Sequence, residues 1–349
     1  VLTNSQIGGR RNIIINGGMQ VAQRGTSSTG LGASSTYATV DRFNHAFAST
    51  AGRLTSEQVA DGASGFANCL KLSCTTADTS IAADEAALIE QKFEGQNLQQ
   101  LKKGTSDAEK VTVSFYVKGN ASATYTVELE DNDNSRFNSQ EFSVTTSWTR
   151  VTKTFVADTT GTLNDDNGVS LSLKFWLHGG STYTGGTHTS NTWHTTTNAR
   201  LSDNQTSFFD STDRTFFITG IQLEVGEVAT PFEHRSYGEE LLLCQRYFSH
   251  SGDPVNNGFV HHCYLTTQAY ANLSFTTTMR TAPTVTMSAT GSSYFYMAGA
   301  SKTVSSFTAQ NISDQNFQHR IIGSGYTAGY AGHVDTNSSV RFYQADAEL

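Results

Sequence analysis

Apolar residues recur at every second position along most of this chain. Val111, Val113, Phe115 and Val117 alternate with Thr112, Ser114 and Tyr116. Tyr125, Val127 and Leu129 repeat the pattern until the acidic run Glu130-Asp131-Asn132-Asp133-Asn134 closes it. Val169, Leu171, Leu173, Phe175 and Leu177 alternate with Ser170, Ser172, Lys174 and Trp176. An extended chain sends successive side chains to opposite faces, so these segments predict strands with one face on a core and the other toward solvent. Ile13-Ile14-Ile15, stopped by Asn16-Gly17-Gly18, predicts a short strand and a turn. Ala87, Ile89 and Phe93 predict a strand, and Gln96 to Leu101 a turn of helix. The alternation disappears between Leu177 and Arg214, where His178-Gly179-Gly180-Ser181-Thr182-Tyr183-Thr184-Gly185-Gly186-Thr187-His188 reads as a long polar loop. It returns with Phe217, Ile221, Leu223 and Val225.

Ser236-Tyr237-Gly238-Glu239 has capping-box spacing, which predicts a helix over Leu241 to Phe248. The breaker Ser249-His250-Ser251-Gly252-Asp253-Pro254 ends it. A second β region follows, with strands expected at Cys263 to Thr266, Ala271 to Thr277, Val285 to Ser288 and Val340 to Tyr343. No repeat of solenoid length occurs, which excludes a parallel β-helix. The expected fold class is all-β. An extension at 1–10 leads into a jelly-roll β-sandwich at 11–235, a helical connector at 236–250 and a small C-terminal β-sandwich at 251–349.

Composition agrees. The 349 residues include 21 Phe, 13 Tyr and 30 Gly but only 3 Pro, and 15% are charged. The net charge of -8 is spread along the chain, and no basic stripe exists to replace the counterions of a nucleic acid or to meet an anionic membrane. No run of about 18 apolar residues is present for a membrane span. The first residues do not read as a signal peptide, and a chain beginning with Val has either lost its initiator or continues a longer polypeptide. Cys69, Cys74, Cys244 and Cys263 form no C-x-x-C pair, which points to buried free thiols.

The candidate chemistry has a functional and a structural reading at each place. Trp176, Tyr183, Trp193 and His194 offer flat rings for sugar C–H surfaces, with Asn191, Asn198 and Asp203 to bind hydroxyls; alternatively Trp176 packs beneath the loop or against another subunit. Tyr294, Tyr296, Tyr326 and Tyr330, set among Gly and Ser, suit an adaptable recognition tip. His178, His188 and His194 lack a carboxylate to complete a zinc set. Asp131 to Ser135 hints at a calcium loop, but Arg136 stands where Gly is needed and Phe142 where Glu is needed. His261-His262-Cys263 admits a nucleophile with its base, or a buried cysteine beside an exposed neighbour. Gly323-Ser324-Gly325 is no nucleophile elbow. No catalytic residue, cofactor or metal is expected. Leu241, Leu242, Leu243 and Phe248 cover too much of their helix for a solvated linker, so the helix is either clamped between domains or lines a threefold axis.

Several segments also carry a resemblance. Arg11-Asn12-Ile13-Ile14-Ile15-Asn16-Gly17-Gly18-Met19-Gln20-Val21-Ala22-Gln23-Arg24-Gly25, Tyr37-Ala38-Thr39-Val40-Asp41-Arg42-Phe43, residues 221–247 and the closing Tyr343-Gln344-Ala345-Asp346-Ala347-Glu348-Leu349 resemble bacteriophage tail-fibre and virion structural proteins, especially those of marine and cyanobacterial phages. The first region resembles carbohydrate-binding-module-like jelly rolls, whose N-terminal Asn-Gly strand pairs near the final Gln-Leu-Glu-Val-Gly strand. Gly18 stands where many members carry an Asp that can help hold structural calcium. The resemblance implies a homotrimeric, host-facing virion appendage that contacts other tail proteins and a host-surface glycan or protein receptor. Two rivals belong to other classes: a purely architectural virion protein and a polysaccharide depolymerase.

Overall fold

A computed structural model describes residues 11–252, 259–287, 293–336 and 341–349. The chain divides into two compact units, Val1–Glu240 with Leu349, and Leu241–Glu348.

The first unit is a jelly-roll-like sandwich of twelve strands: β1 (Ser27–Leu31), β2 (Thr36–Tyr37), β3 (Asn44–Ala48), β4 (Arg53–Val59), β5 (Cys69–Thr76), β6 (Ala86–Glu94), β7 (Val111–Gly119), β8 (Ala123–Asp131), β9 (Arg136–Val144), β10 (Thr149–Phe155), β11 (Val169–Gly179) and β12 (Thr215–Val225). They form two six-stranded antiparallel sheets, ordered β1-β4-β5-β12-β7-β10 and β2-β3-β6-β11-β8-β9. The inward positions of both sheets meet in one core. Phe115 of one sheet lies edge-on to Phe142 and Phe175 of the other, with ring centroids 5.1 and 4.9 Å apart. Short helical turns at Gly95–Asn97 and Gln99–Leu101 follow β6, as expected.

Ile13 to Ile15 does not form the strand its apolar run predicts. Asn12 does the pairing with its side chain: its Nδ2 donates to the Ile221 carbonyl (3.2 Å) and its Oδ1 accepts from Leu223 N–H (3.1 Å). Two backbone bonds, from Ile13 N–H to the Leu223 carbonyl at 2.9 Å and from Ile221 N–H to the Gly17 carbonyl at 3.0 Å, complete the contact. The segment thus lies along β12 without a ladder. Gly17 must be glycine, since a Cβ there would come within 2.0 Å of the Ile221 carbonyl oxygen. The Asp131 turn joins β8 to β9, but it is not simply solvated. Asp131 is buried and accepts from the Lys103 ammonium and from Asn134.

The helix at Tyr237–Gln245 begins earlier and ends sooner than expected. Ser236 caps it, its Oγ accepting from Glu239 N–H at 3.3 Å. Phe248 is drawn out of the helix into a strand, where it pairs with Asp346, and its side chain is buried. It is therefore no member of an exposed helical stripe. Leu242 is 48% exposed, while Leu241 and Leu243 are half-buried.

The second unit holds β13 (Phe248–His250), β14 (Val260–Leu265), β15 (Gln268–Ser274), β16 (Thr284–Met287), β17 (Ser293–Met297), β18 (Ala300–Gln310), β19 (Asn316–Ser324), β20 (Ala331–Thr336) and β21 (Tyr343–Asp346). The strands expected around Val285 and Tyr343 are β16 and β21; Ser288 and Val340 lie outside the described residues. The small β domain takes the form of a closed barrel, β14-β15-β19-β18-β17-β20, accompanied by a three-stranded sheet, β13-β21-β16. Closure pairs both edges of a sheet too small to bury them otherwise. Cys263, Ala269, Phe295, Ile321 and Val334 fill the barrel.

Candidate functional site

In β11, Leu171, Leu173, Phe175 and Leu177 point into the sandwich, so Ser172, Lys174, Trp176 and His178 face outward. Strand register extends this outer face sideways. Lys174 lies opposite Glu90 of β6 and Glu128 of β8; Ser172 lies opposite Lys92 and Glu130. Two rows of polar residues therefore cross the middle of the sheet, with charges of both signs.

These side chains are tied together. Lys174 Nζ bonds Glu130 and lies 3.6 Å from Glu90, which also accepts from Asn44 Nδ2 (2.9 Å) and lies 3.4 Å from Lys92 Nζ. Arg200, arriving from the long loop after β11, donates through Nε to Glu128 Oε2 at 2.9 Å, through Nη2 to Glu128 Oε1, and through Nη2 to Glu130 at 2.9 Å. Trp176 Nε1 also donates to Glu128, at 3.1 Å. Burial acts to raise the Glu130 carboxyl, but Lys174 and Arg200 outweigh it and hold the group below the usual carboxylate range. Burial likewise opposes the Arg200 charge, and the two glutamates overcome it.

The long loop decides what this face presents. It contains α1 (Ser181–Thr184) and a helical turn at Thr197–Ala199. Trp176 is 2% exposed, with the Tyr183 ring 4.9 Å away and the Arg200 guanidinium 5.0 Å from its centroid. The expectation of Trp176 as a sugar platform is corrected, because neither ring face is open. Tyr183 joins it, packed beside Leu88 and Leu201 but still partly exposed. Trp193 is elsewhere: its Nε1 donates to the Val156 carbonyl (2.8 Å), with Lys103 Nζ 5.2 Å from its ring. His194 forms an isolated bridge with Phe137. The four loop aromatics therefore do not converge. What remains approachable is Lys92, Lys174, Glu130 and Tyr183, with half-buried Tyr37 on edge strand β2. Tyr37 Oη and Lys92 Nζ each reach the Leu349 carbonyl at 3.1 Å.

Among the barrel tyrosines, Tyr294 (41%) and Tyr330 (54%) are exposed and Tyr296 is half-buried. Tyr326 is 4% exposed and packs on Phe295, so its assignment to a binding tip is corrected too.

The other candidate chemistry resolves into packing. His178 lies between Glu85 (2.9 Å) and Ser207 (2.8 Å), and His188 lies 3.1 Å from Ser139 Oγ. Among the described residues no three His, Cys, Asp or Glu side chains converge as a metal set. At the suspected calcium loop the Lys103 ammonium occupies the oxygen-lined space. It contacts Asp131, Asp158 (3.0 Å) and the carbonyls of Thr160 and Gly161 (2.9 Å each). Cys263 is fully buried against Met297, and burial pushes its thiol up, away from the reactive thiolate. All four cysteines are free and buried.

Sequence reasoning missed the belt formed by Glu90, Lys92, Glu128, Glu130, Lys174 and Arg200. Its strand members were visible as the polar half of each alternation. Arg200 was not, because it lies in a segment without period and meets its partners across about 70 residues.

Residues 83–179, which span β6 to β11, match the family model described as "Carbohydrate binding domain". No curated protein matches. Similar solved structures include a family 11 carbohydrate-binding module from Clostridium thermocellum in complex with a β-1,3-1,4-mixed-linked tetrasaccharide. It is 10% identical with a TM-score of 0.31, over 59% of this chain and 98% of that one. A family 61 module in complex with β-1,4-galactotriose is 10% identical with a TM-score of 0.31, over 62% of this chain and all of that one. A family 4 module is 14% identical with a TM-score of 0.27, over 51% and 79%.

Proposed function

We propose that the first unit binds glycan through the outer face of the β2-β3-β6-β11-β8-β9 sheet, and that the chain is a non-enzymatic subunit of a phage tail fibre or related virion appendage, attaching it to a host surface. The observation that carries the glycan reading is the carbohydrate-binding match over 83–179, which includes the strands bearing the charged belt. Ion-paired Lys and Glu side chains held by a rigid sheet can exchange bonds with sugar hydroxyls without reorganising. Glu130, whose burial is outweighed by Lys174 and Arg200 so that it stays below the usual carboxylate range, is not the raised-pKa acid that a glycosidase needs, which favours binding over hydrolysis.

The test is titration of the full chain against a panel of neutral polysaccharides. Lys92→Ala with Lys174→Ala is expected to weaken binding on the order of tenfold, as removal of central interface contacts does. An unchanged affinity in that double variant would sink the site, and release of reducing ends would replace binding by depolymerisation.

The virion reading rests on the resemblance of residues 11–25, 37–43, 221–247 and 343–349 to tail-fibre proteins, and it includes a homotrimer. Leu242, 48% exposed on a helix whose Tyr237 is also exposed, is the place where further copies would meet. Leu242→Asp with Leu243→Asp is expected to reduce the mass in sedimentation from three chains to one. A wild-type chain that sediments as a monomer removes the trimer.

A further inference from the structure

The barrel has one side unlike the rest of the molecule. Strands β15, β14, β20 and β17 are neighbours in it, and alternate residues of each point outward: Tyr270 on β15; Val260, His262 and Tyr264 on β14; His333 on β20; Tyr294 and Tyr296 on β17. Register brings them together. Tyr296 lies opposite His333, and His333 opposite Val260; one row on, Ala331, His262 and Tyr270 lie side by side. Tyr296 and His333 stack with centroids 5.5 Å apart and planes 17° apart, and Tyr264 meets Tyr270 edge-on at 6.0 Å. Tyr264 is 67% exposed and Val260 70%. Among the described side chains the outward residues of these four strands include no Asp, Glu, Lys or Arg, and half-buried Arg320 of β19, opposite Tyr270, borders the patch.

We infer that this side of the barrel, formed by Tyr264, Tyr270, His262, His333, Tyr294 and Tyr296, is a second binding surface and that its ligand is a carbohydrate. Flat rings with polar rims match a molecule with C–H faces and hydroxyl edges. Tyrosine also supplies that contact at little cost in side-chain order. The ligand class, though not the location, rests on the carbohydrate reading of the first unit. Two sites in one chain then multiply on a polymeric glycan: the second contact forms at the effective concentration set by the first.

The test uses the full chain, a polymeric neutral β-glucan and a neutral galactan. Three proteins are compared: wild type, Tyr264→Ala with Tyr296→Ala, and Lys92→Ala with Lys174→Ala. Thermal melts check folding, and Tyr264→Phe with Tyr296→Phe serves as the ring-retaining control. The barrel pair is expected to lose about tenfold in affinity, with most of it kept in the Phe control. Binding that is untouched by the barrel pair but lost in the lysine pair overturns this inference and leaves the first-unit reading standing. Binding lost in the barrel pair alone does the reverse. If the barrel pair changes the sedimenting mass rather than the affinity, the surface holds a second copy of the chain, and the inference fails. If wild type binds neither polymer, both readings fail.

Discussion

Arg200→Met is expected to destabilise the first unit by about 3–5 kcal/mol, because it leaves a fully buried Glu128 without its cation. The arginine makes both bonds of a fork to Glu128 and a third to Glu130, and its guanidinium closes over Phe137 at 3.9 Å. Trp176 Nε1 still donates to Glu128 in that variant, but an indole N–H cannot neutralise a carboxylate in a low-dielectric site. Trp148, Trp176 and Trp193, the chain's three tryptophans, all lie in this unit, so tryptophan fluorescence during urea unfolding reads its stability separately. The double variant Arg200→Met with Glu128→Gln should recover much of the loss, since the uncompensated charge is then gone. A loss below about 1 kcal/mol in the single variant would mean that the pair is solvated and the belt is not the rigid surface described above.

Acid is expected to unfold the barrel before the rest. His261 and His319 face each other across its interior, with Nε2 of the first 2.8 Å from Nδ1 of the second. His261 Nδ1 donates to the Phe259 carbonyl at 2.7 Å, so its Nε2 is the acceptor and His319 Nδ1 the donor. This leaves His319 Nε2 bare, against the rings of Phe307 and Phe342. A proton on His319 would enter that apolar contact, and one on His261 would set two N–H groups against each other. Burial lowers His261 from 6.5 to about 4 despite the Phe259 bond; burial, with His261 as a second influence, lowers His319 to about 3.

Both folded values lie below the unfolded one, so the protection is complete above pH 6.5 and drains away as pH falls toward them. By pH 5 the loss is on the order of 2–4 kcal/mol. His319→Gln keeps a donor for His261 Nε2 while removing one titrating group. It should move the barrel's acid midpoint, followed by tyrosine near-ultraviolet dichroism, to lower pH. The tryptophan-detected transition should not move: the sandwich has its own buried imidazole, His45, which burial lowers to about 4. Equal acid midpoints in wild type and His319→Gln would refute the role of the pair.

Much of the architecture was legible one strand at a time. The alternation in Val169 to Leu177 correctly assigned every inward residue of β11, and that in Val111 to Val117 did so for β7. Where local reading failed, a distant partner had taken over. The apolar run Ile13 to Ile15 looked like a strand, but the Asn12 side chain took the bonds that a ladder would have made, more than 200 residues away. Phe248 continued a helical apolar stripe until pairing with Asp346 drew it into a sheet. Lys103 had no visible reason to be buried until two aspartates and two carbonyls from 28 to 58 residues away surrounded its ammonium.

The candidate sites divide in the same way. Trp176 lies on the polar face of its strand, as expected, yet that face is covered at Trp176 and only partly open at Lys174, whose side chain is 13% exposed. Tyr294 and Tyr326 looked alike in sequence; one points out of the barrel and the other is shut inside it. His262, Tyr264, Tyr270 and His333 form no local pattern, since three separate strands carry them.

Taken alone, the sequence settles that this chain is all-β and which residues of most strands face inward, because a period of two is a local property of extended backbone. The tertiary structure alone decides which outward faces stay wet and which charges meet. Those outcomes depend on where loops and neighbouring strands pass, and no window of consecutive residues records contacts made across tens or hundreds of positions.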